Sequence, residues 1–299
     1  MRRRRSLIDL DGLSSEDLHD IFARSAAIER GTSGAGIAGA ACVNLFFEPS
    51  TRTFTSFNLA ELRLGAHVVN LAPRELSYMN KGESIEDTMI TLSAMGVCVV
   101  VVRHPQEGFP ASLAEHFDGH VVNAGDGMHA HPTQALLDLY TMLGEFGSLD
   151  GRRVLIIGDI LHSRVAHSAM LGLRTLGAEV VLAGPDALVP SAYAGDGIRV
   201  ERDLDVALDG ANAVMLLRIQ RERFAGMPMD LEEYVRRYRL DAARLHRAAP
   251  EAIVMHPGPY NRGVELDESI LRLPGWRYAQ QVMHGVGVRM AVLDFLVNG

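Results

Sequence analysis

Short apolar runs alternate with segments of helical period along nearly all of this 299-residue chain, and that alternation leaves few folds open. Strand candidates fall at 41–47, 67–72, 97–103, 120–124, 153–158, 179–184, 198–201, 212–217 and 252–255. Helix patterns occupy 15–29, 55–64, 84–95, 133–146, 163–176, 231–247 and 286–297. Strands separated by crossover helices give a parallel sheet with helices on both faces. Gly147-Ser148-Leu149-Asp150-Gly151 breaks the pattern near the middle and is the best candidate hinge. The expected fold class is α/β, with two doubly wound parallel-sheet domains, 1–148 and 149–282. Whether the final helix, within 283–299, packs back on the first domain is open at this stage.

Composition narrows the function. A formal net charge of −8, with no basic face evident, argues against a nucleic-acid partner. Arg2 to Arg5 are basic, but no apolar signal core follows them. No apolar run approaches the ~20 residues that cross a bilayer. Cys42 and Cys98 lie inside apolar runs and read as small core residues, and no His/Cys/carboxylate group has metal spacing. The expectation is a cytoplasmic chain with no metal, cofactor or membrane contact.

The most telling stretch is Phe46-Phe47-Glu48-Pro49-Ser50-Thr51-Arg52-Thr53, between a strand and a helix. A helix start favours an anion; hydroxyls add hydrogen bonds, and arginine adds a planar fork suited to phosphate. The plainer account is an N-cap serine followed by a surface arginine. Lys81 sharpens the choice, because it is the single lysine among 29 basic residues. It sits on a glycine-flanked loop before the capping pattern Ser84-Ile85-Glu86-Asp87, where a loop could deliver one compact ammonium. Further polar clusters fall where strands end, the side on which open parallel sheets bind ligands. They are Arg103-His104-Pro105, Gly125 to Gln134, Gly158 to Arg164, Arg218 to Glu222 and His256-Pro257-Gly258-Pro259. Arg164 and Arg218 could instead close structural ion pairs. Gly158 follows a good strand, but both later glycines of a dinucleotide fingerprint are missing.

Together Ser50-Thr51-Arg52-Thr53, His131-Pro132-Thr133-Gln134, Arg218-Ile219-Gln220 and His256-Pro257-Gly258-Pro259 resemble the aspartate/ornithine carbamoyltransferase family, nearest its aspartate branch. The resemblance implies a first domain for carbamoyl phosphate, a second for the acceptor amine, and a homotrimer with shared active sites. Ser50, Thr51, Arg52 and Thr53 would bind the phosphate. Arg103, His131 and Thr53 would surround the carbamoyl oxygen, and Gln134 would hold the carbamoyl amide. Arg164 and Arg218, with Gln220, would grip the carboxylates of L-aspartate, while Pro257 and Gly258 offer carbonyls to its amine. Ser77 and Lys81 would arrive from the neighbouring chain. On this reading Arg52, Thr53, Lys81, Arg103 and His131 are the catalytic set. The product would be N-carbamoyl-L-aspartate, for pyrimidine biosynthesis.

Four positions depart from the family pattern. Phe54 and Asn58 replace an arginine and a glutamate four residues apart, Ala130 replaces a frequent glutamate, and His284 replaces an asparagine. They keep two alternatives in view: a carbamoyltransferase for another amine, and a non-catalytic homologue serving as scaffold or regulator. An ornithine enzyme is disfavoured, since the His256–Pro259 stretch lacks that branch's cysteine. Sequence leaves open whether a trimer stands free, pairs with regulatory chains or joins a dihydroorotase.

Overall fold

The computed structural model describes residues 6–34, 36–72, 81–219 and 230–299. The chain forms two compact units: one runs through Leu137 and takes up Val282–Gly299, and the other is Asp138–Gln281. Among the described residues no helix is long and apolar enough to cross a membrane.

The first unit opens with α1 (Ser15–Glu29), started by a reciprocal cap in which the Ser14 hydroxyl accepts from Asp17 N and the Asp17 carboxylate accepts from Ser14 N. Four parallel strands follow, β1 (Ala41–Phe46), β2 (His67–Leu71), β3 (Val97–His104) and β4 (His120–Asp126), in the order β2-β1-β3-β4. The helices α2 (Thr51–Arg63), α3 (Ile85–Ala94) and α4 (Phe109–His116) lie between them in sequence. Val99 to Val102 of β3 are all fully buried, as expected of a central strand covered on both faces. Val43, Leu45, Val100, Val102 and Val121 from the sheet pack with Met89 and Leu92 of α3 and Leu113 of α4. Each such side chain contributes about 2 kcal/mol on burial. The helix α4 is absent from the sequence-based patterns, being eight residues long with Pro110 in its first turn.

The second unit holds five parallel strands, β5 (Arg153–Ile157), β6 (Glu179–Ala183), β7 (Ile198–Glu201), β8 (Ala213–Leu216) and β9 (Ile253–Met255), ordered β7-β6-β5-β8-β9. After α5 (Pro132–Phe146) come α6 (Arg164–Thr175), α7 (Leu204–Leu208), α8 (Leu231–Tyr238) and α9 (Ala242–Leu245). The single helix read at 231–247 is thus two. Leu240 N donates to Glu265 O at 3.1 Å and Asp267 N to Leu240 O at 2.8 Å, so this stretch leaves the helix to pair with the Leu266 segment. Asp241 then caps the new start, accepting from Arg244 N at 2.8 Å.

The final helix, α10 (Tyr278–Asn298), begins eight residues before the expected start, since Gly285 and Gly287 weaken the helical pattern there. Its C-terminal part packs on the first unit. Asp294 pairs with Arg24 of α1 at 2.5 Å, Asn298 Nδ2 donates to Gly36 O at 3.0 Å, and the Arg289 guanidinium lies 5.0 Å from the Phe57 ring centroid. His284 Nε2 stands 3.8 Å from Glu29 of α1, so this departure meets a carboxylate.

Candidate active site

In an open parallel sheet, ligands bind beyond the carboxyl ends of the two strands where the strand order reverses. In the first unit that point lies between β1 and β3. The chain leaving β1 runs through Phe47-Glu48-Pro49-Ser50 straight into α2, whose first turn is Thr51-Arg52-Thr53. The helix therefore starts four residues before the predicted 55, and the hydroxyl-arginine motif is the helix N-terminus itself. Ser50 occupies the N-cap position, yet its side chain makes no capping hydrogen bond. The first turn carries no acid, whereas those of α1, α3 and α8 each carry two. Nothing negative there offsets the positive end of the helix. Arg52 is exposed and has no carboxylate partner among the described residues, and Thr53 is buried.

Arg103, from the end of β3, donates from Nε to Glu48 Oε2 at 3.2 Å, which brings it to the loop after β1. The backbone joins the same two ends, Phe47 N donating to Arg103 O at 2.8 Å. Beyond β4 the loop is built around Asp126, a fully buried carboxylate that sequence reasoning passed over. It accepts from Gly108 N and Asn123 Nδ2, both at 2.7 Å, and from Ala130 N at 3.1 Å, and it faces His129 Nδ1 at 3.0 Å. Ala130, completely buried on this turn, returns a backbone bond to Asp126 N. The loop delivers His131 and Gln134, both buried, at the start of α5. Between them Thr133 is fully buried, with no hydrogen-bond partner for its hydroxyl among the described residues.

The departures at Phe54 and Asn58 have local explanations. The Phe54 ring meets Phe46 edge to face at 5.2 Å, and both line a recess of about 500 Å3 with Phe47, Pro49 and Ser50. Asn58 Nδ2 donates to Phe54 O at 3.0 Å, and its Oδ1 accepts from Asn70 Nδ2 at 2.7 Å. Asn44 Nδ2 continues the chain, reaching Asn70 Oδ1 at 3.0 Å and Glu61 Oε2 at 2.8 Å. Burial pushes the Glu61 carboxyl up to about 7, partly offset by the Asn44 hydrogen bond. Burial also raises the Cys42 thiol to about 12, so Cys42 stays an inert core thiol.

In the second unit the order reverses between β5 and β8. Gly158, at the end of β5, has φ +129°, and a Cβ there would meet Leu217 Cβ at 3.1 Å. The glycine lets the segment after β8 approach, which explains it without a dinucleotide. Asp159 accepts from His162 N at 3.2 Å and faces His162 Nδ1 at 2.7 Å, closing the turn before Ser163, which caps α6. Arg164 is the first residue of that helix. Arg218 follows β8, exposed, with no ion-pair partner among the described residues. Beyond β9, Pro257 and Gly258 are half-buried, and Gly258 N donates to His256 Nδ1 at 2.8 Å. Lys81 is exposed, just before the Ser84 cap of α3, which accepts from Asp87 N at 3.0 Å. Ser77 and Gln220 lie outside the described residues.

The family model for the carbamoyl-phosphate-binding domain of aspartate/ornithine carbamoyltransferases matches residues 5–144, and that for the Asp/Orn-binding domain matches 150–296. The aspartate carbamoyltransferase catalytic subunit of Salinispora arenicola is 51% identical over 267 residues, covering 88% of this chain and 86% of that one. Aspartate transcarbamoylase from Trypanosoma cruzi, solved with carbamoyl aspartate and phosphate, superposes with a TM-score of 0.85 at 32% identity, covering 98% of this chain and 96% of that one. Ornithine carbamoyltransferase from Gloeobacter violaceus reaches the same TM-score at 28% identity, covering 99% and 100%. With both halves matched in order, the chain belongs to the aspartate/ornithine carbamoyltransferase family.

Proposed function

We propose that this chain transfers the carbamoyl group of carbamoyl phosphate to the amine of L-aspartate, giving N-carbamoyl-L-aspartate and phosphate for pyrimidine biosynthesis. The observation that carries the reading is the position of the two cationic groups. Ser50, Arg52, Thr53 and Arg103 stand at the strand-order reversal of one sheet, and Arg164 and Arg218 at that of the other. The first group suits a phosphate and the second a dicarboxylate. In the reaction a neutral amine forms a bond to the carbonyl carbon and the C=O pair moves to oxygen; that pair then re-forms C=O as phosphate leaves with the C–O pair and takes the proton the amine gives up. Donors aimed at that oxyanion, here Arg103, His131 and Thr53, are typically worth ~3 kcal/mol each. Pro257 and Gly258 carbonyls accept from the amine, and Gln134 holds the carbamoyl amide.

The domain boundary on this reading is 1–148 with 283–299 against 149–282; the gap between the two family matches supports the first break, and the compact unit that takes up Val282–Gly299 supports the second. A cytoplasmic homotrimer is proposed as the assembly, with Ser77 and Lys81 entering a neighbour's site. Its support is apolar surface on the first unit. Leu59 and Leu62 of α2, Val69 of the edge strand β2, and Ile90 of α3 are exposed, as apolar side chains left for a partner are.

The aspartate assignment over ornithine rests on Arg218, since an arginine with no carboxylate among the described residues suits a substrate carboxylate better than an ammonium. The test is phosphate release by purified chain with carbamoyl phosphate and a panel of amines. Aspartate is expected to be preferred by a wide margin. Preference for another amine would overturn the acceptor, and no release with any amine would favour a non-catalytic homologue.

A further inference from the structure

Glu265 is buried to 1% exposure in the second unit and has no role in the reading above. Three contacts connect it to both parts of the acceptor side. His256, also fully buried, accepts from Gly258 N at its Nδ1, so the neutral ring carries its proton on Nε2. That nitrogen stands 3.4 Å from Glu265 Oε1, a close approach that falls short of hydrogen-bond geometry. The same oxygen accepts from Asn261 N. The Asn261 side chain in turn donates to Ile219 O at 3.0 Å, one residue after Arg218. Glu265 is itself fixed by its backbone, whose carbonyl accepts from Leu240 N at 3.1 Å. Its second oxygen, Oε2, is buried with no hydrogen-bond partner among the described residues.

We propose that Glu265 is a positioning residue for the acceptor: through His256 it holds the Pro257–Gly258 carbonyls, and through Asn261 it holds the segment bearing Arg218. The inference rests on the acceptor-side reading above and adds what sets its spacing. The carbonyls that receive the amine and the guanidinium that receives a carboxylate lie on separate segments, after β9 and after β8. One buried carboxylate fixes the distance between them, and that distance measures the amine-to-carboxylate length of the acceptor.

The experiment uses the full-length chain with Glu265→Gln and, separately, Asn261→Ala. Glu265→Gln puts an amide in place of the carboxyl group that faces His256. Asn261→Ala cuts the tie to Ile219 while keeping the backbone bond to Glu265. Each should raise the aspartate KM about tenfold or more, because small misplacements of binding groups are costly. The dissociation constant for carbamoyl phosphate alone should stay within about twofold, and the preference for aspartate over the longer glutamate should fall by a similar factor. The double variant should be little worse than the worse single, since both lie on one path. Unchanged aspartate KM and selectivity in the folded variants would overturn the proposal, and so would a parallel loss of carbamoyl phosphate affinity. If Glu265→Gln does not fold, Asn261→Ala alone decides. Wild-type turnover tests the underlying reading separately: another preferred amine takes the place of aspartate in the comparison, and a wild type that carbamoylates no amine overturns both.

Discussion

At residue scale, the departures around Phe54 exchange a helix-surface ion pair for two uncharged devices. An i,i+4 pair on a helix is worth only a few tenths of a kcal/mol. The ring contact with Phe46 and the run of amides from Asn58 through Asn70 and Asn44 to Glu61 replace it without an orphan charge. Glu61 is the sensitive member. Its carboxyl holds a proton up to about pH 7 in the native state, against an ordinary value of 4.5. Between these values the folded protein binds more protons than the unfolded one, so stability falls as pH rises from about 4.5 to 7 and is level above. The full effect is on the order of 3 kcal/mol. Glu61→Gln keeps an acceptor for Asn44 and cannot ionise. In urea unfolding from pH 4.5 to 8, the variant should gain on the wild type by this amount and then track it. Parallel curves across the range would show that Glu61 titrates normally.

Individual elements differ in how readily the sequence discloses them. The β3 run Val99–Val102 is apolar without alternation because both faces are covered, and its pattern is plain. The start of α2 is hidden, since Thr51, Arg52 and Thr53 add no apolar period; only the anion chemistry of those residues pointed there. The break in 231–247 is tertiary: Leu240 leaves the helix for a partner at Leu266, which no local pattern encodes. Asp126 and Glu265 were illegible for a related reason. Their value lies in bonds that periodicity does not connect, from Gly108 N to Asp126 and from Asn261 N to Glu265. The motif residues stand out in the sequence because each chemistry needs its own side-chain type. One helix start still separates two accounts of Ser50. Ser14→Ala removes a real cap and should cost about 1 kcal/mol, leaving carbamoyl phosphate binding unchanged. Ser50→Ala removes a hydroxyl that makes no capping bond, so it should cost under about 0.5 kcal/mol yet weaken carbamoyl phosphate binding about tenfold. Urea midpoints and titration calorimetry read the two quantities. Equal stability losses with unchanged affinity would make Ser50 an ordinary cap.

For the whole molecule the question is whether one chain holds a complete site. Lys81 is the single lysine of the sequence, exposed and unpaired with any described carboxylate. If it serves a neighbour's Arg52, the two residues of any one site belong to different chains, and a cyclic trimer has three such junctions. Lys81→Gln homotrimers should then be inactive, as should Arg52→Ala homotrimers, each lacking one partner at every junction. Unfolding and reassembling an equal mixture draws each contribution at random. A site has both residues intact with a chance of about one half times one half, so about a quarter of wild-type activity should return. Mixing without subunit exchange should restore nothing, which separates reassembly from any effect in solution. A site built within one chain predicts no recovery under either condition, because every chain in the mixture carries one defect. Activity that stays at background after demonstrated exchange, read by mass spectrometry of differently tagged chains, would therefore remove Lys81 from the neighbour's site.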